Sequence, residues 1–218
     1  MFGQMIEKAV HKSQHCQRNW DLSKKIPEED LKVMETSITA CPSKQNYIFY
    51  KPIMITNREV IDKLYHTTQG FDVEPIQDEN GKWVRQPAQT NSQTLAQLLV
   101  VFLEDNESFV DDVNRNDEMY AYAKHGKEHP SIIHQRHISL GIAAGYLNLA
   151  ASLLGYSTGC CTCFNRPKAA QILKTNKNPM LMMGVGIPDK KRNRREHHKD
   201  RSFTFPTFSK NLKAERIA

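Results

Sequence analysis

Between Ser131 and Leu154 the chain carries a long, fairly apolar stretch that a fold of this size has to be built around. Its core, Ile138 to Gly155, is interrupted by Ser139, Asn148, Ser152 and several glycines. The Leu and Ile content is below that of a convincing membrane span, so the stretch reads as a buried helix of a soluble protein. Gly141, Ala144, Gly145, Ala150 and Ala151 put little bulk on it, which lets another helix approach closely. Gly155 supplies the expected stop.

The other elements follow from spacing and punctuation. Phe2, Met5, Ile6, Ala9 and Val10 fall at helical intervals, so the chain opens with an amphipathic helix. A polar link, Ser13 to Lys25, leads to a second helix that Pro27, Glu28, Glu29 and Asp30 open and Pro42 ends. Tyr47 to Thr56 reads as a strand, with Pro52 marking an edge or a bulge. Arg58 to Gln69 reads as a short helix, and Asn80-Gly81 as a hairpin tip within residues 70–90. Leu98 to Glu104 is a continuous apolar run and predicts a buried strand. Residues 107–124 suggest a polar, weakly amphipathic helix. Beyond the long helix come a strand over Ser157 to Phe164, a short helix from Pro167 to Leu173, and a strand over Met180 to Ile187. Helices and strands mix without a strict βαβ repeat, and nothing marks a boundary, so residues 1–218 read as one α+β domain.

Charge narrows the function classes less than it first promises. Thirty Lys and Arg against 24 Asp and Glu give a net charge of +6, which invites a nucleic-acid reading. Much of the excess sits in one run from Lys190 to Arg201, and no aromatic residue interleaves it, as single-strand binding would want. A local basic patch suits a bound phosphate at least as well, although a solvated loop explains most of these side chains. Five cysteines, an odd number without paired CxxC spacing, point to reduced thiols in a cytosol-like compartment. Cys160, Cys161 and Cys163 lack a second Cys/His cluster to complete a metal site, and residues one or two apart rarely reach disulfide geometry. Glu7 and Lys8 interrupt any leader-like start, so no signal peptide is expected.

Four stretches together carry a resemblance. "QHCQRNW" follows the first helix, "ACPSKQN" closes the second, "GYLNLAASLLGYSTGCCTCF" joins the long helix to its strand, and "MGVGIP" precedes the basic run. In this order and spacing, from about Met5 to Arg201, they resemble the nitroreductase family. The resemblance implies a nitroreductase-like fold: a central, mainly antiparallel sheet flanked by helices in an interlocked homodimer. It also implies noncovalently bound FMN and a ping-pong reaction. NADH or NADPH delivers a hydride to the flavin, and an acceptor such as a nitroaromatic, a quinone or an enone then takes electrons from it. The chemistry is the flavin's, so no catalytic side chain is expected. A reductive dehalogenase or a flavin-consuming enzyme on the same fold is the first alternative, and a basic nucleic-acid-binding protein the more distant one.

Residue by residue, the resemblance puts Gln14, His15, Cys16 and Arg18 at the flavin, Gln14 and Cys16 departing from the family's Arg and Ser. Arg18 is a fixed cation suited to a phosphate or a polar ring edge. Its plain alternative is a surface ion pair, and that of Cys16 a small buried thiol. Pro42, Ser43, Lys44 and Asn46 match the loop that reaches the neighbouring subunit's flavin, although Pro42 also ends a helix. Asn91 and Gln93 match a polar contact, or simply a cap or turn. Cys161, Thr162 and Cys163 match the main-chain stretch whose N–H groups face the flavin N5/O4 edge. Lys199 and Arg201 match a late phosphate-binding pair. The basic segment 189–201 and the extension 202–218, with Phe203, Phe205 and Phe208, are expected to dock on the partner subunit.

Overall fold

The computed structural model of this chain describes residues 2–69, 76–77, 79–84, 91–105 and 130–217. Its frame is a four-stranded antiparallel sheet. The strands are β1 (Tyr50–Ile55), β4 (Leu98–Glu104), β5 (Ser157–Cys161) and β6 (Pro179–Gly186), in the order β1-β4-β6-β5. A separate hairpin pairs β2 (Ile76–Gln77) with β3 (Trp83–Val84). Among the described residues there are five α-helices: α1 (Phe2–Ser13), α2 (Glu28–Thr39), α3 (Arg58–Tyr65), α4 (Pro130–Leu153) and α5 (Arg166–Ile172).

The run in β4 shows how the layers arise. Leu98, Val100 and Phe102 face a core shared with α2 and α4, beside Met34, Ile38, Leu140 and Leu147. Leu99, Val101 and Leu103 face a second core shared with α3 and α5, beside Ile61, Leu64 and Ala169. Side chains alternate along a strand, so a strand covered on both faces has to be apolar at every position. Each such side chain, fully buried, contributes about 1.5–3 kcal/mol. Pro52, which cannot donate to a ladder, lies in β1, an edge strand paired only with β4.

Boundaries differ where local chemistry intervenes. The first strand begins at Tyr50, because Lys44–Asn46 form a 3-10 turn with Asn46 at φ 61°. Helix α3 ends at Tyr65, where the hydroxyls of Thr67 and Thr68 donate back to the carbonyls of Leu64 and Tyr65, both at 2.7 Å. Strand β5 ends at Cys161, and Phe164 bridges to Thr68 instead of continuing the ladder. Gly81, at φ 75°, sits between β2 and β3 as the Asn-Gly pair predicts. The helix expected over 107–124, and much of 70–90, fall outside the described residues.

Helix α4 corrects one expectation. Within a single chain it buries one side, including Ile132, Ala143 and Ala151. Ile138, Tyr146 and Leu153 remain exposed on it, and a Cβ added at Gly141 or Gly145 would meet nothing within 4 Å. Phe2, Met5 and Val10 of α1 are likewise uncovered, although Asn148 Nδ2 pins that helix by donating to the Ser13 carbonyl at 2.9 Å. No helix among the described residues is long and apolar enough to cross a membrane.

Candidate functional site

The segment after α1 is laid across the sheet by main-chain bonds. Gln17 N–H donates to the Thr158 carbonyl at 2.8 Å and Asp21 N–H to the Ile187 carbonyl at 2.9 Å, while Trp20 bridges Pro188. The buried Gln17 side chain fixes the turn, its Oε1 accepting from the N–H groups of Arg18 at 2.9 Å and Asn19 at 3.0 Å. Cys16 and Arg18 are thereby held beside the start of β5.

A second segment seats itself on the same strand. The 3-10 turn Ser92–Leu95 lies directly on β5 and β6, and two glycines permit it. A Cβ at Gly184 would stand 1.9 Å from the Gln93 carbonyl oxygen, and one at Gly159 would stand 2.5 Å from the Gln93 Cβ. Gln93 Nε2 donates to the Cys160 carbonyl at 3.3 Å, and Trp20 Nε1 donates to the Ser92 carbonyl at 3.0 Å. Gln93 Oε1 and Ser92 Oγ are buried without a partner. Each such orphan costs about 1–3 kcal/mol, so it marks a place where something else is meant to bind. Asn91 has a structural role instead, its Nδ2 donating to the Gln69 carbonyl and its own carbonyl accepting from the Thr94 hydroxyl at 3.0 Å and the Thr94 N–H at 3.3 Å.

The chain's last third closes over Arg18. Phe205 is fully buried, with its ring 4.2 Å from the guanidinium carbon of Arg18. The loop holding it is clasped at 2.9 Å between Phe205 N–H and the Arg195 carbonyl, and again between Arg195 Nε and the Phe205 carbonyl. Asn19 Nδ2 anchors the loop to the carbonyls of Asn193 and Glu196. Arg18 forms no ion pair among the described residues, and its Nε is buried and unpartnered, which speaks against the surface-pair alternative. Arg194 joins it. Its pKa is lowered by burial and then by the neighbouring Arg18 and Arg195. Burial pushes the Cys16 thiol up, against the pull of Arg18 and Arg194, and burial and Arg194 together pull His15 down. Arg18 and Arg194 therefore form a cationic pair, with the His15 imidazole and the Cys16 thiol, both shifted toward their neutral forms, beside it. Gln14 beside them is exposed.

The remaining expected residues divide. Lys199 and Arg201 are exposed and form no ion pair among the described residues, whereas Arg194 stands close enough to Arg18 for the two charges to act on each other. No motif spacing singled Arg194 out; only its place in the basic run did. Thr162 and Cys163 are exposed just beyond β5, and the Cys163 carbonyl accepts from Gln69 N–H at 2.7 Å. Cys161 turns its side chain into the second core, where burial pushes the thiol up to about 12, so only its main chain is left for a ligand. Four residues of extended chain, about 14 Å, separate Thr158 from Thr162. Pro42, Ser43, Lys44 and Asn46 lie elsewhere. Ser43 Oγ donates to the Tyr47 carbonyl at 2.7 Å, and Ser43 and Asn46 line a cavity of about 540 Å³ with Tyr50 and Pro52 at the β1 edge. Three strand spacings, again about 14 Å, lie between that edge and β5.

A four-stranded antiparallel sheet flanked by helices makes this an α+β fold, and the comparisons say which one. The nitroreductase family model matches residues 12–187, and the chain belongs to that family of oxidoreductases. Among solved structures, a nitroreductase family protein of Streptococcus pneumoniae is 16% identical, with a TM-score of 0.62 over 99% of this chain and 100% of that one. An NAD(P)H:FMN oxidoreductase, so assigned, of Staphylococcus epidermidis is 16% identical over 86% of this chain and 89% of its own, with a TM-score of 0.62. A protein of Exiguobacterium sibiricum, assigned as a nitroreductase and solved with FMN, is 16% identical over 86% and 90%, with a TM-score of 0.60. Comparison with curated protein sequences finds no match.

Proposed function

We propose that this protein is an FMN-dependent oxidoreductase that draws on NADH or NADPH to reduce a small organic acceptor. The observation that carries the reading is the cradle on β5. Gln93, whose buried Oε1 has no partner, packs on Gly159 together with Cys16, and the nearby Arg18, whose buried Nε has none either, pairs its charge with that of Arg194. These are the donors and acceptors that a polar heterocycle with one phosphate requires. The relative solved with FMN and the relative assigned as an NAD(P)H:FMN oxidoreductase support the choice of ligand and reductant.

Arg18 and Arg194, with His15 at the rim, hold the phosphate or a polar ring edge. Lys199 and Arg201 add to the same field from solvent. Gln93 orients the ring through its amide. Main-chain N–H groups at Thr162 and Cys163 point toward the ring edge where negative charge accumulates on reduction. When bound, the flavin supplies the hydride acceptance and electron transfer that no side chain here could perform. Pro42, Ser43, Lys44 and Asn46 complete the site of a second copy, and the uncovered faces of α4 and α1 meet that copy. The five free thiols suit the cytoplasm. Arg192 and Arg195 are engaged with carbonyls of their own loop, which removes them from any polynucleotide surface.

The visible spectrum of the purified protein, followed by mass spectrometry of the released chromophore, tests the reading. FMN is expected. FAD, or no flavin after reconstitution, overturns it.

A further inference from the structure

At the end of the sheet where β4 and β5 finish and β6 begins, a cavity of about 470 Å³ opens between α4 and the start of α5. Thr162 stands in its wall, so the space adjoins the main chain that meets the flavin edge in the reading above. Ile133, Leu140, Met180 and Leu181 give it an apolar lining. The charged groups around it are of two kinds. Arg136 and Glu104 neutralise each other at 3.1 Å, and Asn178 Nδ2 adds a bond to Glu104 at 3.2 Å. Arg166 and His137 line the same space, are exposed, and form no hydrogen bond or ion pair among the described residues.

We propose that this cavity binds a planar organic anion, an aromatic carboxylate, and so selects electron acceptors that carry a carboxylate as a handle beside the quinone or nitro group that takes the hydride and a proton. The proposal rests on the oxidoreductase reading for the word acceptor, but not for the binding itself. With its one carboxylate already matched, the cavity offers a ligand an unspent guanidinium and an imidazole above an apolar floor. A guanidinium presents a planar fork that fits a carboxylate with two parallel hydrogen bonds. An aromatic ring fills the apolar remainder, and the volume lies in the ordinary range for a small-molecule site. A neutral ring of the same shape gains only the floor, and a cationic one meets Arg166. Selection by charge therefore comes from the bidentate carboxylate–guanidinium pairing that only an anion can make with Arg166.

Calorimetric titration of the protein as purified, with benzoate and with benzamide, tests this directly. Benzoate should bind at least about tenfold more tightly than its neutral isostere, and Arg166→Gln should abolish that difference. Arg166 is exposed at a helix start, and the far-ultraviolet spectrum of the variant confirms its folding. Equal binding of the two ligands, no binding of either, or a preference for benzoate that survives in Arg166→Gln overturns the proposal. The flavin spectrum is read on the same sample. A flavin-free protein that still selects benzoate keeps the anion site and loses the oxidoreductase reading. A flavoprotein that reduces quinones and ignores ligand charge does the reverse.

Discussion

The two edges of the sheet are built in opposite ways. At the β5 edge, segments from the start, middle and end of the chain converge: residues 16–21 through Gln17, residues 92–95 through Gln93, and residues 193–205 through Phe205. At the β1 edge the side-chain hydrogen bonds of Ser43 and Tyr50 are local. Tyr50 donates to the Ile38 carbonyl at 2.6 Å and meets the Cys41 thiol at 3.0 Å, and Ser43 closes on Tyr47. One edge is finished by long-range packing with a few polar atoms left over. The other ties its polar side chains to nearby residues and is left with an open cavity. The family resemblance assigns residues from both edges to one site, and a single chain keeps them apart. The second copy proposed above would reconcile the two observations.

Substitutions can break this contrast, beginning with the largest effect. Phe205→Ala removes a buried ring from the β5 edge and should cost about 3–5 kcal/mol in denaturant unfolding. Ile48→Ala, at the β1 edge and 57% exposed, should cost less than about 0.5 kcal/mol. Similar losses for the two would erase the distinction. Gly184→Ala forces a Cβ into the Gln93 carbonyl and should cost about 1–3 kcal/mol, with Gln93 displaced and FMN released first.

A third prediction sharpens the contrast into a stoichiometry. Arg18→Ala should weaken FMN binding by about 1.5–3 kcal/mol and Asn46→Ala by about 0.5–1.5 kcal/mol, each without loss of fold. If both edges serve one site across two subunits, unfolding and refolding the two weakened variants together restores wild-type affinity at roughly a quarter of the sites by random pairing. No recovery would place both residues in the same subunit's site. The smallest effect concerns pH. His198 accepts from or donates to the Tyr65 hydroxyl at 2.8 Å, and burial, then His197, Lys199 and Arg192, pull its pKa from 6.5 to about 4. A histidine held below its unfolded value stabilises the fold above pH 6.5 and loses that contribution as the pH falls toward 4. Stability against pH should slope across that window, and His198→Asn should flatten the slope while variants at the β1 edge leave it intact.

The frame was legible where one residue type had one physical use. The apolar run in β4, the edge proline in β1 and the Asn-Gly tip each have few alternatives, and each stands where the sequence predicts. The site was legible in order and not in detail. Arg18 and Gln93 could be named from motif spacing, but Gly159 and Gly184 gave no sign that they seat Gln93, because a missing side chain leaves no pattern. Arg194 was hidden by redundancy, being one of seven cations in twelve residues, where only the path of the loop decides which one turns inward. The expectation for the tail divides for the same reason. Phe205 closes on its own chain, whereas Phe208 and Leu212 remain exposed at 93% and 81%, although all three read alike as apolar residues among polar ones. Helix α4 looked buried because its composition is apolar on all sides, and composition does not say whose surface provides the cover.

The contact between Arg18 and Phe205 also has a consequence in time. A ribosome makes Arg18 early and reaches Phe205 only after 187 further residues, on the order of 10–40 s later at ordinary elongation rates. Until then the guanidinium has no ring to rest on, and the loop that brings Arg194 beside it does not exist. A nascent chain can assemble α1, α2 and even the sheet during synthesis, but its cofactor cradle stays unfinished until translation is nearly done. On the function proposed above, flavin loading is a late event in the life of each molecule, and ribosome-bound chains arrested before Phe205 should emerge colourless.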